Sequence, residues 1–322
     1  MQNLQSARIA ITGANGFIGS HLLKRLLSIG CDAWAVVPTG ECVDRLELLL
    51  PAERIRRFSG AAALGEAVFV LQPDVVFHLG ALIRNHRTLE AFHDTLEWNL
   101  LSTLGLYESL TRSRLTRLVQ IGSCEEYGRQ PTPFKEVLAP DPASPYSASK
   151  AAISSYARMF YNCFDLPVTV LRPSVVYGPW QSPSMLIPEV ITALLAGREV
   201  ATTEGRQTRD FLYVDDLVEA AMRSTQAAET VGAALNLGSG ETVTVRSCVE
   251  MIEDLIGRTG LVRFGARPYN SYEIWDYTPD TTLARNLLQW EPRTSLRDGL
   301  KLTIAAFGAE QLEATLRKKD LA

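Results

Sequence analysis

Apolar residues along this chain follow two rhythms. Short β-branched runs alternate with longer stretches in which leucine recurs every three or four positions. The run from Arg8 to Thr12 predicts a buried strand. Leu22, Leu23, Leu26 and Leu27 then set a helix over about Phe17 to Ile29, closed by Gly30. The same reading predicts strands over Ala33–Val37, Val75–His78, Leu118–Ile121 and Val168–Leu171. Helices are predicted over 89–112, with Trp98, Leu101, Leu104 and Leu110 as apolar positions, and over 145–163. Regular alternation of this kind implies an α/β fold, a doubly wound parallel sheet with helices on both faces. After Pro179 the alternation weakens. A helix over 187–196, a short segment around Val200 and the stretch from Thr242 predict a smaller mixed lobe. The strands near 211–214 and 234–237 are expected to return to the first lobe, and Asp215 and Asp216 to cap the helix after the former. The tail from Ser295 to about Leu316 reads as helix. This divides the chain into residues 1–178 and 179–322.

Composition narrows the classes. A chain of 322 residues with 46% hydrophobic content can bury one large or two modest cores. A net charge of −4 argues against broad attraction to nucleic acid or an anionic membrane. The five cysteines are dispersed without metal-ligand spacing, as expected of reduced thiols in a cytoplasmic protein, and no metal is expected. No apolar run approaches the ~20 residues of a membrane span.

The first predicted strand ends in Gly13-Ala-Asn15-Gly16-Phe17-Ile18-Gly19 and runs directly into a helix. Strand, glycine loop and helix in that order form the context for a dinucleotide pyrophosphate, in a Rossmann-like domain. Gly13 permits the turn, Gly16 lets backbone approach the phosphates, and Gly19 packs helix on strand. The tip of the second strand, where an acidic residue would hold the ribose of NAD, reads Val37-Pro38-Thr39. The cofactor is therefore NAD or NADP, with the missing carboxylate tilting the reading towards NADP; Arg45 is a candidate cation for a 2′-phosphate.

Ligands in such a sheet collect at the carboxyl ends of the strands, which here carry Gly13, Gly80, Ser123 and Pro173. In the helix beginning at Pro145, Tyr146 and Lys150 stand one turn apart on one face. A phenol with a pKa of about 10 needs roughly 4 kcal/mol of differential stabilisation to fall by about three units. A nearby ammonium and an oxidised nicotinamide are suitable sources. Ser123, at a strand end, is positioned to polarise a substrate oxygen.

Gly13-x-x-Gly16-x-x-Gly19, His78-Leu79-Gly80-Ala81, Ser123 with Tyr127-Gly128, Tyr146-x-x-x-Lys150, Arg172-Pro173 with Tyr177-Gly178-Pro179, Arg209-Asp210-Phe211, Asn236-Leu-Gly238 and Gln289-Trp290-x-Pro292 together resemble the extended short-chain dehydrogenase/reductase family. Within it, the chain resembles the NAD(P)-dependent nucleotide-sugar epimerases, dehydratases and 4-ketoreductases, from Arg8 to about Phe307. The resemblance implies a nucleotide-diphosphate sugar substrate bound between the lobes, a homodimer, and hydride transfer at C4 of the sugar. It implies Tyr146 as acid/base, Lys150 as holder of the nicotinamide ribose, and Ser123 as a ligand of the sugar oxygen. It assigns Gly13, Asn15, Gly16, Phe17, Ile18 and Gly19 to the cofactor, with Leu79, Gly80, Ala81, Asn99 and Pro173. It assigns Arg209, and Arg267 as a second candidate, to the substrate diphosphate, and His78 to a structural role.

Three departures bear on the reaction. Val37 replaces the carboxylate, and Val175 stands where many relatives have a substrate-touching asparagine. Cys124 replaces an aspartate that several dehydratases use, although Glu125 stands at their basic position. A 4-ketoreductase and a 4-epimerase fit these positions equally. A 4,6-dehydratase with retained NAD is the alternative, and a non-catalytic NAD(P)-binding sensor or scaffold the remote one.

Overall fold

The computed structural model describes residues 4–83 and 87–320, with side chains up to residue 309. The first half contains strands β1 (Arg8–Thr12), β2 (Asp32–Pro38), β3 (Ile55–Phe58), β4 (Val75–His78), β5 (Arg117–Ile121) and β6 (Val168–Pro173). Between them lie helices α1 (Phe17–Ser28), α2 (Asp44–Glu47), α3 (Leu64–Phe69), α4 (Leu89–Thr95), α5 (Ser102–Leu110) and α6 (Pro145–Phe164). The second half contains β7 (Val175–Tyr177), α7 (Leu186–Leu195), β8 (Val200–Ala201), β9 (Thr208–Tyr213), α8 (Val214–Ser224) and β10 (Ala234–Leu237). It ends with β11 (Thr242–Thr244), α9 (Val245–Ile256), β12 (Val262–Arg263), α10 (Thr282–Leu288) and α11 (Leu296–Asp320).

Seven strands form one parallel sheet in the order β10-β6-β5-β4-β1-β2-β3. The central strands are buried on both faces, which explains why they are mostly apolar. On β1, Ile9 and Ile11 face a core with Leu22, Leu23 and Leu26 of α1 and Leu217 of α8. Ala10 faces the opposite core, with Leu106 and Tyr107 of α5 and Ile153 of α6. The chain winds outward through β2 and β3, then returns to β4 on the other side of β1. That reversal opens a crevice at the carboxyl ends of β1 and β4.

The helix expected over 89–112 is interrupted. Between α4 and α5 the segment Leu96–Leu101 is a π-helix. Buried Asn99 sits in this widened turn, and its side chain is spent outside the helix on both backbone groups of Leu82 (2.7 and 3.0 Å).

The strand expected over 211–214 is β9, and it does not return to the large sheet. It lies between β7 and β11 in a separate three-stranded sheet. The edge beside β6 is taken by β10, and Phe211 and Tyr213 of β9 instead enter a third core with α7, α9 and α11. Asp215 and Asp216 do not cap α8, whose N-cap position, Tyr213, makes no side-chain cap. Asp216 accepts the backbone N–H groups of Arg293 and Thr294 (2.9 and 3.0 Å), pinning the start of the tail, and Asp215 bonds His21 (3.0 Å).

Candidate active site

The glycine loop forms a cradle with no room for side chains. Gly13 has φ +69°, and a Cβ there would stand 2.7 Å from the Gly80 nitrogen. A Cβ on Gly19 would collide with the Gly13 carbonyl oxygen. Helix α1 points its N-terminus here, with Gly16 as N-cap and no acidic residue in its first turn. Bare backbone, free N–H groups and a positive helix end suit a pyrophosphate. A cleft of about 500 Å³ runs along the cradle, lined by Gly13, Asn15 and Gly16 on one side and Leu79, Gly80 and Ala81 on the other. These residues fit a dinucleotide. The Phe17 and Ile18 side chains lean into the cores, and Pro173 ends β6.

The far end of the cleft contains a carboxylate that the strand-tip reading missed. Val37 is fully buried, but Glu41, beyond the Pro38–Gly40 turn, lines the cleft with Thr39. The Arg57 guanidinium donates to the Glu41 carbonyl (3.3 Å). A loop residue beyond a strand end has no period from which its direction can be read.

Beneath the cleft, His78 is buried between the Thr12 and Thr103 hydroxyls (2.6 and 2.9 Å). Burial, reinforced by Lys150, pushes its pKa down to about 3, so it stays neutral and braces β4 against β1 and α5. Asn99 does not line the cleft; it also donates to Ser149 of α6 (3.1 Å) and so ties the loop after β4 to the helix that carries Tyr146.

Helix α6 starts where Ser144 and Ser147 form a capping box, with Pro145 in the first turn. Tyr146 and Lys150 therefore face the end of β5. The Lys150 ammonium lies 5.8 Å from the Tyr146 ring centre and donates to the Ile121 carbonyl (2.8 Å). Ser123 follows β5, its hydroxyl accepts the Glu125 N–H (3.1 Å), and it stands near enough to Tyr146 to influence the phenol. Burial pushes Lys150 down to about 8, against the pull of Glu126. Tyr146 is pushed up, first by its packed surroundings and then by the Glu125 and Glu126 carboxylates, with Ser123 opposing. These groups oppose the lowering expected from an ammonium and an oxidised nicotinamide together. Two acidic residues stand near the phenol, and the Lys150 ammonium is held by the Ile121 carbonyl.

Glu126 has no exposed surface and was not singled out as a site residue. One oxygen accepts the Ser123 N–H (3.0 Å) and the other the Arg172 guanidinium (2.9 Å). Arg172 donates in turn to the Tyr127 hydroxyl (2.9 Å), which donates to Asn236 (2.8 Å). The signal was present in Ser123-x-x-Glu126, the spacing of a capping box. Cys124 is fully buried and donates to the Arg172 carbonyl (3.0 Å), and burial raises its thiol well above the ordinary range.

Glu125 faces the crevice, where its carboxyl is raised by burial and pulled back by Arg209 and Arg87. Arg209 lies beside this group, paired to Glu273 and donating to the Thr208 and Ile274 carbonyls (2.7 and 2.8 Å). Arg267 is farther out and half-exposed, bidentate to Glu189 (2.8 and 3.2 Å). The crevice also holds Tyr277, buried next to Cys124, Tyr127 and Phe134, which sequence reasoning did not find. Among the described residues no cluster of His, Cys, Asp and Glu is arranged to hold a metal ion.

Residues 9–238 match the profile of the NAD dependent epimerase/dehydratase family. The chain is 32% identical over 313 residues to a UDP-glucose 4-epimerase of Mycolicibacterium smegmatis, covering 93% of this chain and 98% of that one. It is 32% identical over 316 residues to a dTDP-glucose 4,6-dehydratase of Streptomyces griseus, covering 94% of each. The crystal structure of UDP-glucuronic acid 4-epimerase from Bacillus cereus, in complex with UDP-glucuronic acid and NAD, superposes with a TM-score of 0.82 at 27% identity, covering 94% of this chain and 99% of that one. With a glycine cradle, a Ser-Tyr-Lys set at the adjoining strand end and these matches over most of its length, the chain belongs to the NAD dependent epimerase/dehydratase family of enzymes.

Proposed function

We propose that this protein is a 4-epimerase of a nucleotide-diphosphate hexose that retains NAD through the reaction cycle. The observation that carries the choice over dehydration is Cys124. Elimination of water across C5 and C6 needs an acid next to the catalytic hydroxyl, and the side chain there is a buried thiol turned onto the Arg172 carbonyl. Glu41 at the adenosine end of the cleft supports NAD over NADP, because a carboxylate accepts from ribose hydroxyls and repels a 2′-phosphate.

Gly13, Gly16, Gly80 and the start of α1 would hold the dinucleotide, which supplies the hydride acceptor and donor for C4. Tyr146 takes the proton from the C4 hydroxyl and returns it after the sugar has turned. Lys150 holds the ribose and stabilises the phenolate, while Ser123 donates to the same sugar oxygen. Glu125 and Arg209 line the sugar end, and Arg267 is a candidate for the diphosphate once Glu189 yields it. A 4-ketoreductase using NADPH is the second reading, supported by the bare tip of β2 and by Arg57 near it. A homodimer is supported by the half-exposed Phe92, Leu101, Tyr156 and Phe164 on α4, the π-turn and α6.

The test is mass spectrometry of nucleotide-hexose products together with identification of the cofactor that co-purifies. An unchanged mass with a new C4 configuration and bound NAD is expected. A gain of two hydrogens at the expense of NADPH overturns the epimerase in favour of the reductase. Tyr146→Phe is expected to abolish turnover while cofactor binding persists.

A further inference from the structure

The segment from Tyr269 to Tyr277 has a fixed base and a lightly held tip. At the base, Arg209 of β9 pairs with Glu273 and donates to the Ile274 carbonyl (2.8 Å), guanidinium and carboxylate both being largely enclosed. Thr208 and Asp210 of β9 donate to the Trp275 and Tyr277 carbonyls (2.8 and 3.2 Å), and Tyr277 is buried in one cluster with Cys124, the neighbour of Ser123. The tip is the turn from Asn270 to Glu273, in which the Asn270 side chain and carbonyl accept the Tyr272 and Glu273 N–H groups (3.2 and 3.1 Å). Tyr272 stands on this turn, 50% exposed, with the Arg87 and Arg129 guanidinium groups each 5.2 Å from its ring centre. Arg129 also donates to the Ser271 carbonyl (3.3 Å).

The two arginines come from different loops around the candidate active site. Arg87 belongs to the loop after β4, which lines the cofactor cleft with Leu79, Gly80 and Ala81, and its Nε donates to the Ala143 carbonyl (2.8 Å), one residue before the cap of α6. Arg129 lies just past the turn after β5 that begins at Ser123. The Tyr272 ring therefore links the three stretches of chain that carry the cofactor loop, Ser123 and Tyr146, and the segment spans the mouth of the crevice between them. An exposed guanidinium on a ring is a weak contact, and two together bias an equilibrium by about tenfold. The enclosed ion pair and the main-chain bonds at the base have no such easy release. The tip can lift for each substrate while the base stays in place.

We propose that Tyr272 is a positioning residue: with Arg87 and Arg129 it latches this strap across the mouth of the crevice and confines the oxidised sugar until it is reduced again. This rests on the epimerase reading. In the first half of that reaction C4 gives a hydride to the dinucleotide and its hydroxyl proton to Tyr146, leaving a 4-keto sugar two hydrogens lighter. To present its other face the sugar must let go of Ser123 and Tyr146, and for that interval only its diphosphate holds it. A keto sugar that escapes then leaves the dinucleotide reduced and the cycle unfinished. A wall across the mouth favours return of hydride and proton to C4 over escape.

Hydrogen exchange of the full chain with its co-purified cofactor reads the tip, and mass analysis of incubations with UDP-glucose and dTDP-glucose reads its consequence. Tyr272→Ala is expected to raise exchange across residues 270–274 about tenfold and to leave residues 208–213 unchanged. Tyr272→Phe keeps the ring face and is expected to behave as the parent. In Tyr272→Ala the share of turnovers that end in free 4-keto sugar is expected to rise about tenfold, while KM changes less than about threefold. Unchanged exchange in Tyr272→Ala, or an equal rise in Tyr272→Phe, overturns the latch. Raised exchange with no added release of keto sugar, in a protein that epimerises, overturns the confining role. Raised exchange in a protein that consumes NADPH to reduce a keto sugar sustains the latch and overturns the epimerase reading instead.

Discussion

Glu126→Gln removes one charge from a completely enclosed pair while keeping its shape. Glu126 has no exposed surface, and its partner Arg172, 2.9 Å away, is 8% exposed. Burial raises the Glu126 carboxyl, but Arg172, the Ser123 N–H and Lys150 pull it back. A guanidinium cannot give up its proton, so a neutral partner would leave Arg172 uncompensated. The amide also has a donor problem. One carboxylate oxygen accepts from Ser123 N–H and the other from Arg172, so the amide NH2 must face one of two donors. Breaking a buried pair from one side costs about 3–5 kcal/mol, a large part of the ~5–15 kcal/mol that holds a typical protein folded. With a urea m-value of about 3 kcal/mol/M, the unfolding midpoint is expected to fall by about 1–2 M. Glu126→Leu combined with Arg172→Met is expected to recover most of the loss, because an apolar pair has no charge to desolvate. The reasoning is refuted if Glu126→Gln unfolds within about 0.5 kcal/mol of the parent, or if the apolar pair is no better than the single change.

Gly19→Ala forces a methyl group into the Gly13 carbonyl and is expected to cost about 1–3 kcal/mol and at least tenfold in NAD affinity, read by thermal melting and nucleotide fluorescence. A variant that binds NAD normally contradicts the close helix-on-loop packing. His78 carries a folded-state pKa lowered from 6.5 to about 3, so its contribution to stability is complete above about pH 6.5 and is lost as pH falls towards 3. The loss approaches about 5 kcal/mol, and urea titrations between pH 7 and 4 should show His78→Asn losing stability less steeply, by about one proton; parallel curves would exclude His78 as the cause. Glu41→Arg is expected to shift cofactor preference towards NADP by at least tenfold in calorimetric titration, and an unchanged NAD to NADP ratio would remove Glu41 from the ribose site.

Much of the scaffold was legible because it is written in local periods. Ile9 and Ile11 against Ala10, the leucines of α1 and the cap at Gly30 each depend on neighbours within a few residues. The glycine cradle was legible because its shape depends on backbone freedom, and the pairing of Tyr146 with Lys150 because one helical turn separates them. Ser123-x-x-Glu126 was equally local, but a capping box announces a turn and not the buried guanidinium that meets its glutamate from β6.

What tertiary structure alone decided is which distant groups share an environment. Tyr277 packs on Cys124, Tyr127 and Phe134 because its strand-like segment is sandwiched between β9 and the Phe134 loop. Strand β9 lies in the small sheet while β10 holds the edge beside β6, a partition no single segment records. Glu41 entered the cleft through the path of a loop. The lowering of Tyr146 is also opposed. Spacing placed a cation beside the phenol, but folding brought two carboxylates and dense packing around it and gave the ammonium a carbonyl to hold. Sequence by itself set the glycine cradle, the one-turn spacing of Tyr146 and Lys150, and the class of cofactor, since these follow from local geometry. The polarity and proton affinity of Tyr146 and Lys150 depend on desolvation and charge summed over the whole fold, and only the assembled crevice sets them.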